Sequence, residues 1–111
     1  MDRREGDGMI ARTWRGWTRA SEADDYQRHY ATVVAAELRG IPGFRGARLL
    51  RHQTGDEVRF TSITFFADVD AIRAFAGDDY EYAVVAENAR KVLTRWDDRV
   101  THDEVAIFVT G

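Results

Sequence analysis

The chain predicts an α+β domain of β-α-β-β-α-β order, with an antiparallel sheet and helices on one face of it. Three observations carry this prediction. Gly40-Ile41-Pro42-Gly43 stops a helical stretch and opens an extended one. Gly55-Asp56 separates two runs rich in alternating, branched and aromatic residues, which is a hairpin signal. Asp68 precedes Val69-Asp70-Ala71-Ile72-Arg73-Ala74-Phe75, a short amphipathic helix with its own N-cap.

The first strand is read over Met9 to Trp17. Ile10, Arg12 and Trp14 share one face, and Ala11, Thr13, Arg15 and Trp17 share the other. Neither row is purely polar, so the strand is expected to be covered on both sides. Ser21-Glu22-Ala23-Asp24 has capping-box-like spacing and starts a helix. Its apolar stripe is Tyr26, Tyr30, Val33, Val34 and Leu38, and Asp24–Arg28 and Asp25–His29 are i,i+4 pairs on its wetter side. The second strand runs from about Phe44 to His52 and the third from Val58 to Phe66. In the third, Val58, Phe60, Ser62, Thr64 and Phe66 alternate with Arg59, Thr61, Ile63 and Phe65.

Gly77 ends the Asp68-capped helix. A further helical segment is read from Asp78 or Asp79 through about Leu93, with a break near Glu87. A last strand is read from about Arg99 to Val109. This order is the split-βαβ, ferredoxin-like plan. The sheet face without helices is apolar enough to need a cover, and a second copy of the sheet would supply it, making a homodimer.

At 111 residues the chain is one domain, placed at 9–111 behind a short, polar, flexible lead-in over residues 1–8. It is 44% hydrophobic with thirteen aromatic residues, enough for a core without disulfides or metal. The absence of cysteine excludes disulfides and thiolate chemistry, and fits a cytoplasmic protein. No apolar run is long enough to cross a membrane, and the N-terminal residues lack a signal-peptide core. With a net charge of −3 and no basic block, nucleic acid is not an expected partner. Lys91 is the only lysine.

No phosphate loop, zinc pair or nucleophile elbow is present, and no metal or other cofactor is expected. The three histidines, His29, His52 and His102, are too dispersed for a metal motif. His29 reads as an exposed member of a helix pair and His52 as solvated. His102, in the last strand, is the candidate catalytic acid/base. Trp14, Tyr30 and Trp96 are candidates to line a pocket for a small aromatic molecule. Arg12 shares the Trp14 face and suits a carboxylate or phenolate.

The Ile10-Ala11-Arg12-Thr13-Trp14-Arg15-Gly16 strand, the Pro42-Gly43-Phe44-Arg45-Gly46 passage and the join ending in Ala71-Ile72-Arg73-Ala74-Phe75 resemble the antibiotic-biosynthesis-monooxygenase-like family. So does the tail from Trp96 through Val100, His102 and Glu104 to Val105, and the resemblance spans nearly the whole domain. It implies a dimeric α+β barrel with a ligand pocket in each half. It also implies an oxygenase that uses no metal or flavin, on a quinol- or anthrone-like phenol held by Trp, Tyr, Asn and Arg groups. Haem-degrading members typically carry an asparagine in the first strand, where this chain offers Arg12 and Trp14. The function expected from the resemblance is therefore cofactor-independent monooxygenation of an aromatic, polyketide-like phenol. The alternatives are a non-catalytic ligand-binding or stress-response barrel, or a cofactor-free isomerase or cyclase.

Overall fold

The computed structural model describes residues 8–111. The polar lead-in lies outside the described residues except for Gly8. Strand β1 (Ile10–Arg19) is the spine of one antiparallel sheet. It pairs along its whole length with β3 (Glu57–Phe66), which pairs in turn with β2 (Phe44–Thr54). Gly55, at φ +60°, makes the tight β2–β3 turn. The other edge of β1 is shared. Short β4 (Leu93–Trp96) pairs with Gly16 to Thr18, and β5 (Thr101–Glu104) pairs with Ile10 to Thr13.

The last strand is thus broken in two. Trp96 faces Gly16 and Thr101 faces Thr13, so the edge chain carries extra residues at the break. Their backbone groups are not left unpaired. Asp97 N–H donates to Arg15 O, Val100 N–H donates to Glu81 O, and Ala83 N–H donates to Asp98 O. These bonds, with a turn closed by Tyr82 N–H on Asp79 O, keep residues 78–86 out of a helix. The helix expected from Asp78 or Asp79 to Leu93 is therefore reduced to α4 (Glu87–Arg90), and Leu93 is already in a strand. The final strand expected to reach Val109 stops at Glu104.

The long helix begins after a 3-10 turn (Ala20–Glu22) as α1 (Ala23–His29), widens into a π turn (Tyr30–Val34) and closes as α2 (Ala35–Arg39). Ser21 does not cap it. The Ala23 N–H bonds back to Ala20 O inside the 3-10 turn, which satisfies the helix start without a side chain. The two expected i,i+4 ion pairs give way to Asp25–Arg28 at 3.1 Å and to Asp24–Arg51, which ties α1 to β2 at 2.9 Å. Tyr26, Tyr30, Val34 and Leu38 turn toward the sheet at intervals of four, wider than the α-helical repeat. The π turn absorbs the extra residue and leaves Val33 exposed, where an α-helical phase would bury it.

α3 (Val69–Ala76) starts as expected, with Asp68 Oδ1 accepting from Ala71 N–H at 2.9 Å, and ends at Gly77. The core lies between helices and sheet in two clusters. One gathers Ala23, Tyr26, Val58, Phe60, Ala89 and Leu93; the other gathers Leu38, Phe66, Ala71 and Ile72. No helix among the described residues is long and apolar enough to cross a membrane.

Gly43 joins helix and sheet at φ +91°, and a Cβ there would stand 2.7 Å from the Ala71 Cβ. Strained backbone and a packed neighbour act together. Gly43→Ala is expected to destabilise the fold by roughly 3 kcal/mol, read as a lowered denaturation midpoint at unchanged m-value.

Candidate functional site

The two core clusters do not meet. Between them the inward rows of the sheet turn polar: Arg12 faces Thr64 and Trp14 faces Ser62 across the β1–β3 pairing. A cavity of about 80 Å³ occupies the gap. Arg12, Trp14, Ser62 and Thr64 form its floor, and Tyr26, His29, Tyr30 and Leu38 hang from the long helix above it. Val84, Val85 and Ala86, from the extended segment before α4, close one side.

Arg12 is 4% exposed. Its Nη1 donates to Tyr80 O and, at 3.0 Å, meets His102 Nε2; its Nη2 donates to Tyr82 O at 2.9 Å. Its guanidinium carbon lies 5.7 Å from the centre of the Phe75 ring. No carboxylate pairs with it among the described residues. Burial lowers its pKa to about 10, so it stays charged at neutral pH. A guanidinium has five N–H groups, and the contacts among the described residues engage three of them. Among the described residues the site is thus a buried cation without a counter-ion, an arrangement that attracts an anionic group.

The aromatic walls are fixed by the fold. Trp14 Nε1 donates to Asp97 O at 2.9 Å, so the edge-strand break also orients the indole. Tyr26 packs on Phe60 with ring centres 4.8 Å apart. Burial and the neighbouring Tyr30 hold the Tyr26 phenol protonated. His29 Nε2 and Tyr30 Oη are buried and have no hydrogen-bond partner among the described residues. Unpaired polar atoms of this kind are uncommon in folded proteins and call for an explanation.

Of the residues singled out from sequence, Arg12, Trp14 and Tyr30 line one cavity. Trp96 and His102 do not. Trp96 packs beside the first core cluster, and the Arg90 guanidinium carbon lies 5.9 Å from its ring centre. His102 stands behind Arg12, edge-on to Tyr80 with ring centres 5.5 Å apart. An arginine only donates, so His102 Nε2 is the acceptor and the ring carries its proton on Nδ1. The lone pair a general base needs is already engaged. His29, Ser62 and Thr64 were not expected here. The polar break Ser62–Thr64 inside an apolar strand row is the signal that marks the last two.

Burial and the adjacent Arg12 charge lower the His102 pKa. The unfolded chain then binds more protons than the folded one below the ordinary histidine pKa, about 6.5. Stability is therefore fully present above that pH and is lost as pH falls toward the lowered value. Melting temperatures measured from pH 7.5 down to pH 5 should fall more steeply for the native chain than for His102→Gln, which cannot charge.

The family described as antibiotic biosynthesis monooxygenase matches residues 9–87. The chain belongs to this family. Solved structures agree in fold. A cofactor-independent oxygenase from Streptomyces nogalater, SnoaB, is 23% identical over 86% of this chain and 89% of its own, with a TM-score of 0.59. A haem-degrading protein from Mycobacterium tuberculosis is 21% identical over 94% of this chain and 99% of its own, at 0.63. A putative antibiotic biosynthesis monooxygenase from Caulobacter crescentus is 17% identical over 87% and 89%, at 0.65. At these identities the likeness shows the fold. No curated protein matches the chain significantly by sequence.

Proposed function

We propose that this monooxygenase-family chain oxygenates a hydroxylated polycyclic arene, of anthrone or quinol type, bound in the Arg12 cavity as its anion. The observation that carries the reading is the buried Arg12 guanidinium, without a counter-ion among the described residues, in the lining of an aromatic-walled cavity. An ionised substrate oxygen supplies the missing charge, and Trp14 and Tyr26 supply flat faces for the rings. Stabilising the anion lowers the cost of passing an electron to dioxygen. For an anthrone the balance closes with dioxygen as the sole oxidant. The ring CH₂ becomes C=O, one oxygen atom enters the product, and the other leaves as water with the two hydrogens.

The cavity as closed is smaller than the roughly 300 Å³ of the smallest typical ligand sites. Substrate entry in this reading opens the wall at Val84–Ala86, which has no regular structure and exposes Val84. Ala11, Ile63 and Phe65 on the outer sheet face are half-buried, and Leu50 beside them is exposed. We take a second copy of the chain as their cover, in a cytoplasmic homodimer; native mass spectrometry at twice the chain mass supports this, and a monomer contradicts it. Dioxygen consumption with a panel of anthrones, naphthols and quinols tests the activity. Uptake that requires an ionisable hydroxyl supports the reading. No uptake across the panel contradicts it, and a ligand bound and recovered unchanged would favour the binding-module alternative.

A further inference from the structure

His29 has the features of an exposed helix residue in sequence, between Arg28 and Tyr30 and one turn after Asp25. The fold treats it otherwise. It is the last residue of α1, and the π turn begins at the next position. His29 and Tyr30 stand three and four residues after buried Tyr26, so both fall on the helix face that lines the cavity, with the Tyr26 and His29 ring centres 6.3 Å apart. Both bury a polar atom without a partner among the described residues, Nε2 of one and Oη of the other. Leaving such atoms unpaired costs stability, and π turns recur at functional sites. The atoms stand on the helix side, across the cavity from Arg12 on the sheet. The other titratable groups of the lining are Tyr26, whose phenol stays protonated, and Glu37.

We propose that His29 is the catalytic proton acceptor of this site, with the Tyr30 hydroxyl hydrogen-bonded to the same substrate. The inference rests on the reading that an ionised hydroxylated arene reacts in the cavity. It moves the base away from His102, whose Nε2 is engaged by Arg12. For an anthrone the steps balance. His29 Nε2 takes one proton from the ring CH₂, and the carbanion's charge spreads to the oxygen at Arg12. Dioxygen adds at that carbon, and His29 returns the proton to the distal peroxide oxygen. His29 then removes the second C–H proton as the O–O bond breaks, and the released hydroxide takes that proton to become water. The carbonyl remains and His29 is neutral again.

Because His29 Nε2 has no partner to lose among the described residues, and glutamine is a good helix former, His29→Gln is expected to fold. The probe is dihydroxyanthrone, added to the full chain without oxygen. Its bound ionisation is read from the visible anion band, and its binding from quenched tryptophan emission. Air is then admitted and oxygen uptake followed. The native protein should show the band. His29→Gln should bind the probe without the band and turn over about 100-fold more slowly at similar KM. Added imidazole should restore turnover in His29→Ala. An undiminished band and rate in His29→Gln would overturn the role of His29 and leave the oxygenase reading standing. A band lost in His29→Gln, with no oxygen uptake by the native protein, would keep His29 as the base and refute the oxygenase. Failure of the native protein to bind the probe would overturn both.

Discussion

Replacing Arg12 with methionine is expected to destabilise the fold by about 3 kcal/mol and to abolish binding of anionic arenes. The guanidinium holds the Tyr80 and Tyr82 carbonyls and the His102 ring at once. Methionine fills similar space but leaves all three acceptors without a donor, at roughly 1–3 kcal/mol for each one kept from water. Removing an uncompensated buried charge returns part of that cost, so the net falls below the sum. The damage should be local. Residues 80–82 lose their anchor, and with them the bonds Ala83 N–H to Asp98 O and Val100 N–H to Glu81 O that support the edge-strand break. Hydrogen exchange should accelerate at Ala83 and Val100 before it does at the β1–β3 pairing. Arg12→Lys should also fail to bind normally. A lysine keeps the charge, but its single ammonium cannot span two carbonyls and a ring nitrogen and still face the cavity.

Phe60→Ala is expected to cost about 4 kcal/mol, roughly 20 °C in Tm for a domain of this size. Phe60 is fully buried in the cluster that joins α1, β3 and α4. Its ring packs on Tyr26, and the Arg51 guanidinium carbon lies 5.6 Å from the ring centre. Removing it leaves a void that the sheet backbone cannot close, and unseats the tyrosine above the cavity. The effect should appear in thermal unfolding whatever the protein concentration. A loss below about 1 kcal/mol would mean that the two-cluster core is wrongly described.

The first two-thirds of the fold is legible in the sequence because its signals are local. The alternation from Val58 to Phe66, the Gly55 turn and the Asp68 cap each act within a few residues, and the structure keeps all three. The last third is not, because distant partners decide it. Val84, Val85, Ala89 and Val92 suit a helix, yet residues 81–83 are held extended by the break in the edge strand and by Arg12, far away in the chain. The site divides the same way. Arg12, Trp14 and Tyr30 follow from strand and helix phase. His29 does not, because its spacing of four from Asp25 reads as a wet ion pair, although it also stands three residues after Tyr26, on the cavity face.

The central claim is that this cavity lets an arene anion react with dioxygen directly. The measurement that tests it most directly is turnover of dihydroxyanthrone under isotopically labelled dioxygen, after exhaustive treatment with a chelator. The account predicts oxygen consumed equimolar with substrate and one labelled atom retained in the quinone, with activity unaffected by the chelator and lost in Arg12→Met. Label absent from the product, or activity that survives Arg12→Met intact, would contradict it.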